Sequence, residues 1–220
     1  MKDRTLPVIQ AVLWDIDGTL IDSEDLHYQV IADWCGEQGF SLTPEDNENL
    51  LGKSMNEKWH ILRKSHSLSV SLAGFKEDCA RRYCKAVSGD LQRKAPLELF
   101  RNFARCGIAQ ACVSNGDRTV VEANLKALEI DGLVSLRISG DDLENGKPDP
   151  EPYLRAAQRL GVTADECLVV EDSSVGVTAG LAAGMRVVAW PLEKQTSEGI
   201  ASAHFTIRDK KDFPLHLLPL

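Results

Sequence analysis

The residues most able to do chemistry in this chain are two aspartates one residue apart, in Asp15-Ile16-Asp17-Gly18-Thr19-Leu20. They follow an apolar run, Val8 to Trp14, broken only by Gln10. Carboxylates placed this way, where a chain leaves a strand, can face one ligand. Together they can hold Mg²⁺, which takes oxygen donors. One can also attack an electrophile while the other moves protons. Gly18 lets the chain turn and lets a ligand approach the backbone.

Three further polar clusters stand in comparable places. Ser114-Asn115-Gly116 follows the apolar stretch Ile108 to Val113, and Glu171-Asp172 follows Cys167 to Val170. Lys147 lies in a Gly/Pro loop, Gly146-Lys147-Pro148-Asp149-Pro150, just before a helical pattern. Taken singly, each has an ordinary explanation: a turn, a surface lysine, an acid pair at a helix start. Taken together they supply a nucleophile, a cation, a hydroxyl donor and metal-binding acids. Phosphoryl transfer needs that set.

The elements that must position these groups alternate. Apolar runs over Val8–Trp14, Ile108–Val113, Leu133–Ser139, Cys167–Val170 and Arg186–Trp190 read as strands, with Phe205–Ile207 as a last candidate. Helical patterns lie between them at Leu97–Arg105, Arg118–Leu128, Glu151–Leu160 and from Ser173 onward. Such alternation implies a parallel sheet with right-handed crossovers, whose carboxyl-terminal edge is where ligands bind. The stretch from Asp22 to Asp90 is different: helix follows helix, with starts at Thr43-Pro44 and Met55 and a long pattern from Leu72 to Val87. It reads as an all-helical module inserted into an α/β domain. The expected division is residues 1-21 with 95-220 for the α/β core, and 22-94 for the helical cap with its linkers.

Composition narrows the partners. The chain has 220 residues, 43% hydrophobic and 26% charged, with a net charge of −8. Broad binding to nucleic acid or an anionic membrane surface is therefore not expected. The helical stretch carries 12 acidic against 8 basic residues, so it is no basic lid for a polyanion. No apolar run reaches the roughly 20 residues of a membrane span. Met1 to Pro7 shows no apolar signal core. The six cysteines form no C-x-x-C pair and no zinc spacing, and read as free thiols of a cytoplasmic protein. A monomer is the default expectation.

In order and spacing, Asp15-Ile16-Asp17-Gly18-Thr19, Ser114-Asn115-Gly116, Gly146-Lys147-Pro148-Asp149-Pro150 and Glu171-Asp172-Ser173 resemble the haloacid dehalogenase (HAD) superfamily. The glycine-rich pattern through Gly176, Gly180 and Gly184 fits it too. The resemblance is to the phosphatase and β-phosphoglucomutase-like branch, with a helical cap after the first strand. It implies a Rossmann-like α/β core and a Mg²⁺-dependent phosphatase acting on a small phosphorylated metabolite. By that resemblance Asp15 is the nucleophile that becomes aspartyl-phosphate, and Asp17 is the general acid and then base. Asp17 would reach the metal through its backbone carbonyl. Ser114, aided by the Asn115 backbone, donates to the phosphoryl group. Lys147 screens Asp15 and the phosphoryl oxygens. Asp172 binds Mg²⁺ directly, and Glu171 directly or through water.

Other positions keep two readings. His27, in Asp22-Ser23-Glu24-Asp25-Leu26-His27, matches a stretch in which related enzymes place an active-site histidine, or it packs in the helical module. Lys53, beside Gly52, is a candidate for an anionic substrate group or an exposed lysine. His60, His66, His204 and His216 read as packing or surface residues. The alternative activity is a β-phosphoglucomutase-like isomerase. Such mutases carry an arginine three residues after a cap-loop glycine, and counting from Gly52 this chain has Met55. A metal-free dehalogenase does not need Asp17 with Asp172, and a non-catalytic relative would have lost one of these residue types.

Overall fold

The computed structural model describes residues 8–50, 53–192 and 197–220. The terminal segment Met1–Pro7 and the cap-loop Gly52, both used above, lie outside the described residues. The chain divides into two compact units: Met1–Asp22 with Ser88–Leu220, and Ser23–Val87.

The larger unit is built on six parallel strands: β1 (Ala11–Trp14), β2 (Ala109–Val113), β3 (Leu136–Ile138), β4 (Cys167–Glu171), β5 (Arg186–Ala189) and β6 (Phe205–Thr206). Their order is β3-β2-β1-β4-β5-β6. The chain thus starts in the middle, builds to one side and then to the other, leaving a crevice beside β1 at the sheet's carboxyl edge. Trp14 pairs with Cys112 on one side and Val170 on the other. The residues after β1, β2 and β4 therefore emerge side by side. In the same order, helices α1 (Glu24–Glu37), α2 (Pro44–Leu50), α3 (Met55–Ser65) and α4 (Leu72–Ala86) precede α5 (Lys94–Arg105), α6 (Arg118–Ala127), α7 (Glu151–Leu160), α8 (Ser174–Ala182) and α9 (Glu198–Ala201).

Strand alternation sorts the core into two layers. Ala11, Leu13, Ala111, Val113, Val169 and Val187 pack with Tyr153, Ala156 and Ala157 of α7 and Val177 and Ala179 of α8. On the opposite face Trp14 lies 5.7 Å from Phe100 and 6.1 Å from Phe103, ring to ring, both on α5. Its indole N–H donates to the buried Gln110 amide at 2.9 Å, so the one polar atom of that ring is satisfied. The small residues of α8 allow the close approach expected of them: a Cβ on Gly180 would lie 2.9 Å from Val187.

Several boundaries differ from the sequence expectation. β1 starts at Ala11, because the Ile9 and Gln10 amides bond outside the strand ladder, to Leu217 and Glu166 carbonyls, and Val8 is exposed. α5 starts three residues before Leu97, with Pro96 inside its first turn where no helical N–H partner is lost. The short α9, capped by Ser197, was not anticipated. Ser88–Arg93 groups with the larger unit, because the Asp22 amide donates to the Leu91 carbonyl at 2.8 Å and the Arg93 amide to Leu20 at 2.9 Å.

Among the described residues the regular elements of the smaller unit are all helices. Trp34 of α1 meets Phe75 of α4 edge-on at 4.7 Å, and both are fully buried. Thr43 caps α2, accepting the Asp46 amide at 3.1 Å, and Ser54 caps α3 in a reciprocal box with Glu57. Among the described residues no helix is long and apolar enough to cross a membrane.

Candidate active site

The turn after β1 is shaped by its own residues. The Asp15 amide still donates to Val170 of β4 at 3.0 Å. The Ile16 carbonyl then collects the Thr19, Leu20 and Ile21 amides, and Gly18 takes a φ of +84°. Glycine is required there twice over. Other residues rarely adopt that φ, and a Cβ would come within 2.2 Å of Asp172 Oδ2. Thr19 Oγ1 donates to Asp172 Oδ1 at 3.1 Å. The Gly-Thr pair therefore brings the end of β4 against the start of the chain.

Lys147 joins the two strand ends. Its ammonium lies 2.6 Å from Asp15 Oδ1 and 2.6 Å from Glu171 Oε1, and donates to the Val113 carbonyl at 2.9 Å. Glu171 is fully buried. Its Oε1 also accepts the Tyr153 hydroxyl at 2.6 Å, and its Oε2 the Ser173 hydroxyl at 3.1 Å. Gly176 makes room for that carboxylate, since a Cβ there would sit 1.8 Å from Glu171 Cδ. The backbone of Lys147 is gripped as well. Asn115 Oδ1 accepts its amide at 2.8 Å and Asn115 Nδ2 donates to its carbonyl at 3.0 Å.

Asp15, Glu171 and Asp172 offer carboxylate oxygens that all lie within 4.8 Å of one another. Burial pushes the Asp15 carboxyl well above the usual range, and the Glu171 charge adds to it while Lys147 opposes. Burial, then Glu171, pushes Asp172 up to about 7. Burial works against the Lys147 ammonium too, but Asp15 and Glu171 outweigh it and hold its pKa above the ordinary lysine value. The Lys147 ammonium thus bridges two of three clustered carboxylates, and the charge left over favours a further cation. All three donors are hard oxygens, which fits Mg²⁺ and not a thiolate-seeking metal.

Asp17 is half-buried and stands outside this acidic cluster. Its Oδ2 accepts the Ser114 hydroxyl at 3.3 Å and its Oδ1 the Asn124 amide at 3.1 Å. Ser114 in turn accepts the Gly116 amide at 2.9 Å. On the other flank the Arg93 guanidinium donates to the Gly18 carbonyl, and to Trp190 at 2.9 Å, stitching the first turn to the end of β5.

The structure therefore brings Asp15, Asp17, Ser114, Asn115, Lys147, Glu171 and Asp172 to one sheet edge. His27 and Lys53 belong to the helical unit. His27 stacks on Tyr83 at 4.4 Å, and Lys53 and Ser54 are exposed ahead of a half-buried Met55. His66 stacks on Phe40 at 3.7 Å, and His204 accepts the Val187 amide at 3.2 Å, both packing roles. Sequence reasoning missed Tyr153, Asn124 and Arg93. An aromatic residue, an amide and an arginine within helical or linker patterns carry no local mark of the carboxylate or carbonyl they meet.

The family model for haloacid dehalogenase-like hydrolases matches residues 12–190. The Thermotoga maritima phosphorylated carbohydrates phosphatase is 31% identical over 80% of this chain and 82% of its own length. The Arabidopsis thaliana chloroplastic protein Suppressor of Quenching 1 is 35% identical over 82% of this chain, which spans 18% of that larger protein. Among solved structures, CbbY from Rhodobacter sphaeroides with bound phosphate superposes with a TM-score of 0.84 at 23% identity. That match covers 96% of this chain and 100% of the other, and is a likeness of fold.

Proposed function

The chain belongs to the haloacid dehalogenase-like hydrolase family, and from that premise we propose that it is a Mg²⁺-dependent phosphatase that works through an aspartyl-phosphate on Asp15. Its class, phosphoric monoester hydrolase, is that of relatives named as phosphatases. The substrate is a small phosphorylated metabolite. Phosphorylated carbohydrates are the first to test, because two relatives above 30% identity carry such names. The observation that carries the proposal is the buried Asp15–Lys147 contact of 2.6 Å at the carboxyl edge of β1. It couples a carboxylate nucleophile to a cation placed to face the phosphoryl oxygens.

In the proposed reaction Lys147 keeps Asp15 Oδ1, and Oδ2 attacks phosphorus. The bond to the leaving alcohol breaks, and Asp17 gives its proton to that oxygen. Asp17, now a carboxylate, takes a proton from water. The water attacks phosphorus, the acyl phosphate bond to Asp15 breaks, and phosphate leaves. The Ser114 hydroxyl turns from Asp17 to a phosphoryl oxygen. Asp15 and Asp172 would hold Mg²⁺, which when bound offsets the charge gathered by carboxylates and phosphate. Glu171, with its oxygens engaged by Lys147, Tyr153 and Ser173, acts chiefly by fixing Lys147. Residues 23–87 act as the cap, and Lys53, Ser54 and Met55 as part of its substrate-selecting loop.

A screen of phosphorylated metabolites scored by kcat/KM, with Mg²⁺ and with excess EDTA, tests the proposal. Turnover that needs Mg²⁺ and releases inorganic phosphate is expected. Undiminished turnover in EDTA would contradict it, as would conversion of β-glucose 1-phosphate to glucose 6-phosphate faster than phosphate release.

A further inference from the structure

Asn124 is a residue on this sheet edge that neither the motif pattern nor the proposed steps account for. It lies on α6, fully buried, between Val121 and Leu125, which are buried too. A buried amide costs free energy unless its polar atoms are matched. Here the Asn124 Nδ2 donates to Asp17 Oδ1 at 3.1 Å. The other oxygen of the same carboxyl, Oδ2, meets the Ser114 hydroxyl at 3.3 Å. Both oxygens of Asp17 are thus held from the β2–α6 side, away from the Asp15, Glu171 and Asp172 cluster.

The two holds differ in what the reaction asks of them. Ser114 is wanted by the phosphoryl group, and its hydroxyl has one proton to give. When it turns to a phosphoryl oxygen, its contact to Asp17 Oδ2 is broken. Asn124 sits in the core, and its contact to Asp17 Oδ1 is not one that the phosphoryl group draws away. We propose that Asn124 is a positioning residue that anchors Asp17 through Oδ1, so that Oδ2 is the oxygen released to exchange a proton with the leaving group. This rests on the assignment of Asp17 as general acid. An unanchored carboxyl would sample several rotamers, and proton delivery falls steeply with misplacement.

The test uses leaving-group dependence. An alkyl phosphate needs its leaving oxygen protonated, whereas p-nitrophenyl phosphate, with an acidic leaving phenol, needs this far less. Asn124→Leu fills the space with an apolar side chain, and Asn124→Asp keeps the shape while removing the donor. Both are expected to lower kcat/KM for an alkyl phosphate relative to p-nitrophenyl phosphate by ~10-fold to ~100-fold, the range for a lost hydrogen bond to a charged group. Asp17→Asn, run beside them, should change the ratio in the same direction and by more. Equal loss on both substrates in the two Asn124 variants, or no loss, overturns the positioning role while the Asp17→Asn ratio still shifts. An unshifted ratio in Asp17→Asn itself overturns the acid assignment beneath it. Circular dichroism and urea unfolding of each variant identify any loss that comes from misfolding.

Discussion

Lys147→Met removes the ammonium that bridges Asp15 and Glu171 while keeping much of the side-chain volume. In the parent the ammonium is 2.6 Å from each of two carboxylates, with side-chain exposures of 5% for Lys147, 11% for Asp15 and 0% for Glu171. Screening by solvent is therefore slight. Removing one member of a buried ion pair costs about 3–5 kcal/mol, because the partner charge stays buried. Two partners share this cation, so the upper half of that range applies at pH 8. The sign with pH follows from the direction of the shifts. A carboxyl whose folded pKa is raised stabilises the fold at low pH and loses that contribution as pH rises from its unfolded value, about 4, toward the folded one. Without Lys147 the Asp15 and Asp172 values rise further, because its charge lowers both. Lowering the pH from 8 to 5 should then recover up to ~1.4 kcal/mol per unit for each carboxyl that titrates in that window. The deficit in the variant should shrink to about 1–2 kcal/mol near pH 5, and Mg²⁺ should recover more stability in it than in the parent. Urea unfolding at pH 5 and 8, in EDTA and in Mg²⁺, measures all of these. Equal stability of variant and parent in EDTA at pH 8, or a deficit that grows on acidification, would refute the charge account.

Three other outcomes follow from the local geometry. Mg²⁺ affinity should rise with pH through about 7, since Asp172 must lose its proton to serve as a ligand, and calorimetry in two buffers should show proton release near that pH. Gly176→Ala should destabilise by about 2–3 kcal/mol, because its Cβ would stand 1.8 Å from Glu171 Cδ in a fully buried site. Gly184→Ala, at φ +74° with nothing within 4 Å, should lose only about 1–2 kcal/mol from strain, measured in the same denaturation series.

The parts of the site legible in the sequence were those fixed by strand ends. Trp14, Val113 and Glu171 close parallel strands whose registers align, so Asp15, Ser114 and the Glu171-Asp172 pair had to emerge at one edge. Gly18 was readable as a turn, but its second role, clearing space for Asp172, depends on a residue far along the chain. Glu171 was legible as an acid, whereas its complete burial under Tyr153, Ser173 and Gly176 follows from how α7 and α8 dock on the sheet. Asn115 was read through its backbone, but its side chain clasps the Lys147 peptide, a pairing between loops that no local pattern encodes. Asn124 and Arg93 were invisible for the same reason: each serves a carboxyl or carbonyl supplied by a distant turn.

The central claim is that phosphate passes through Asp15. Single-turnover reaction with radiolabelled substrate, acid quench at millisecond times and peptide mapping tests it most directly. Label should appear transiently on the peptide carrying Asp15, rise before free phosphate does, and vanish in Asp15→Asn along with turnover. Free phosphate formed at full rate with no labelled protein at any quench time, and an Asp15→Asn variant that still turns over after deamidation is excluded, would contradict it.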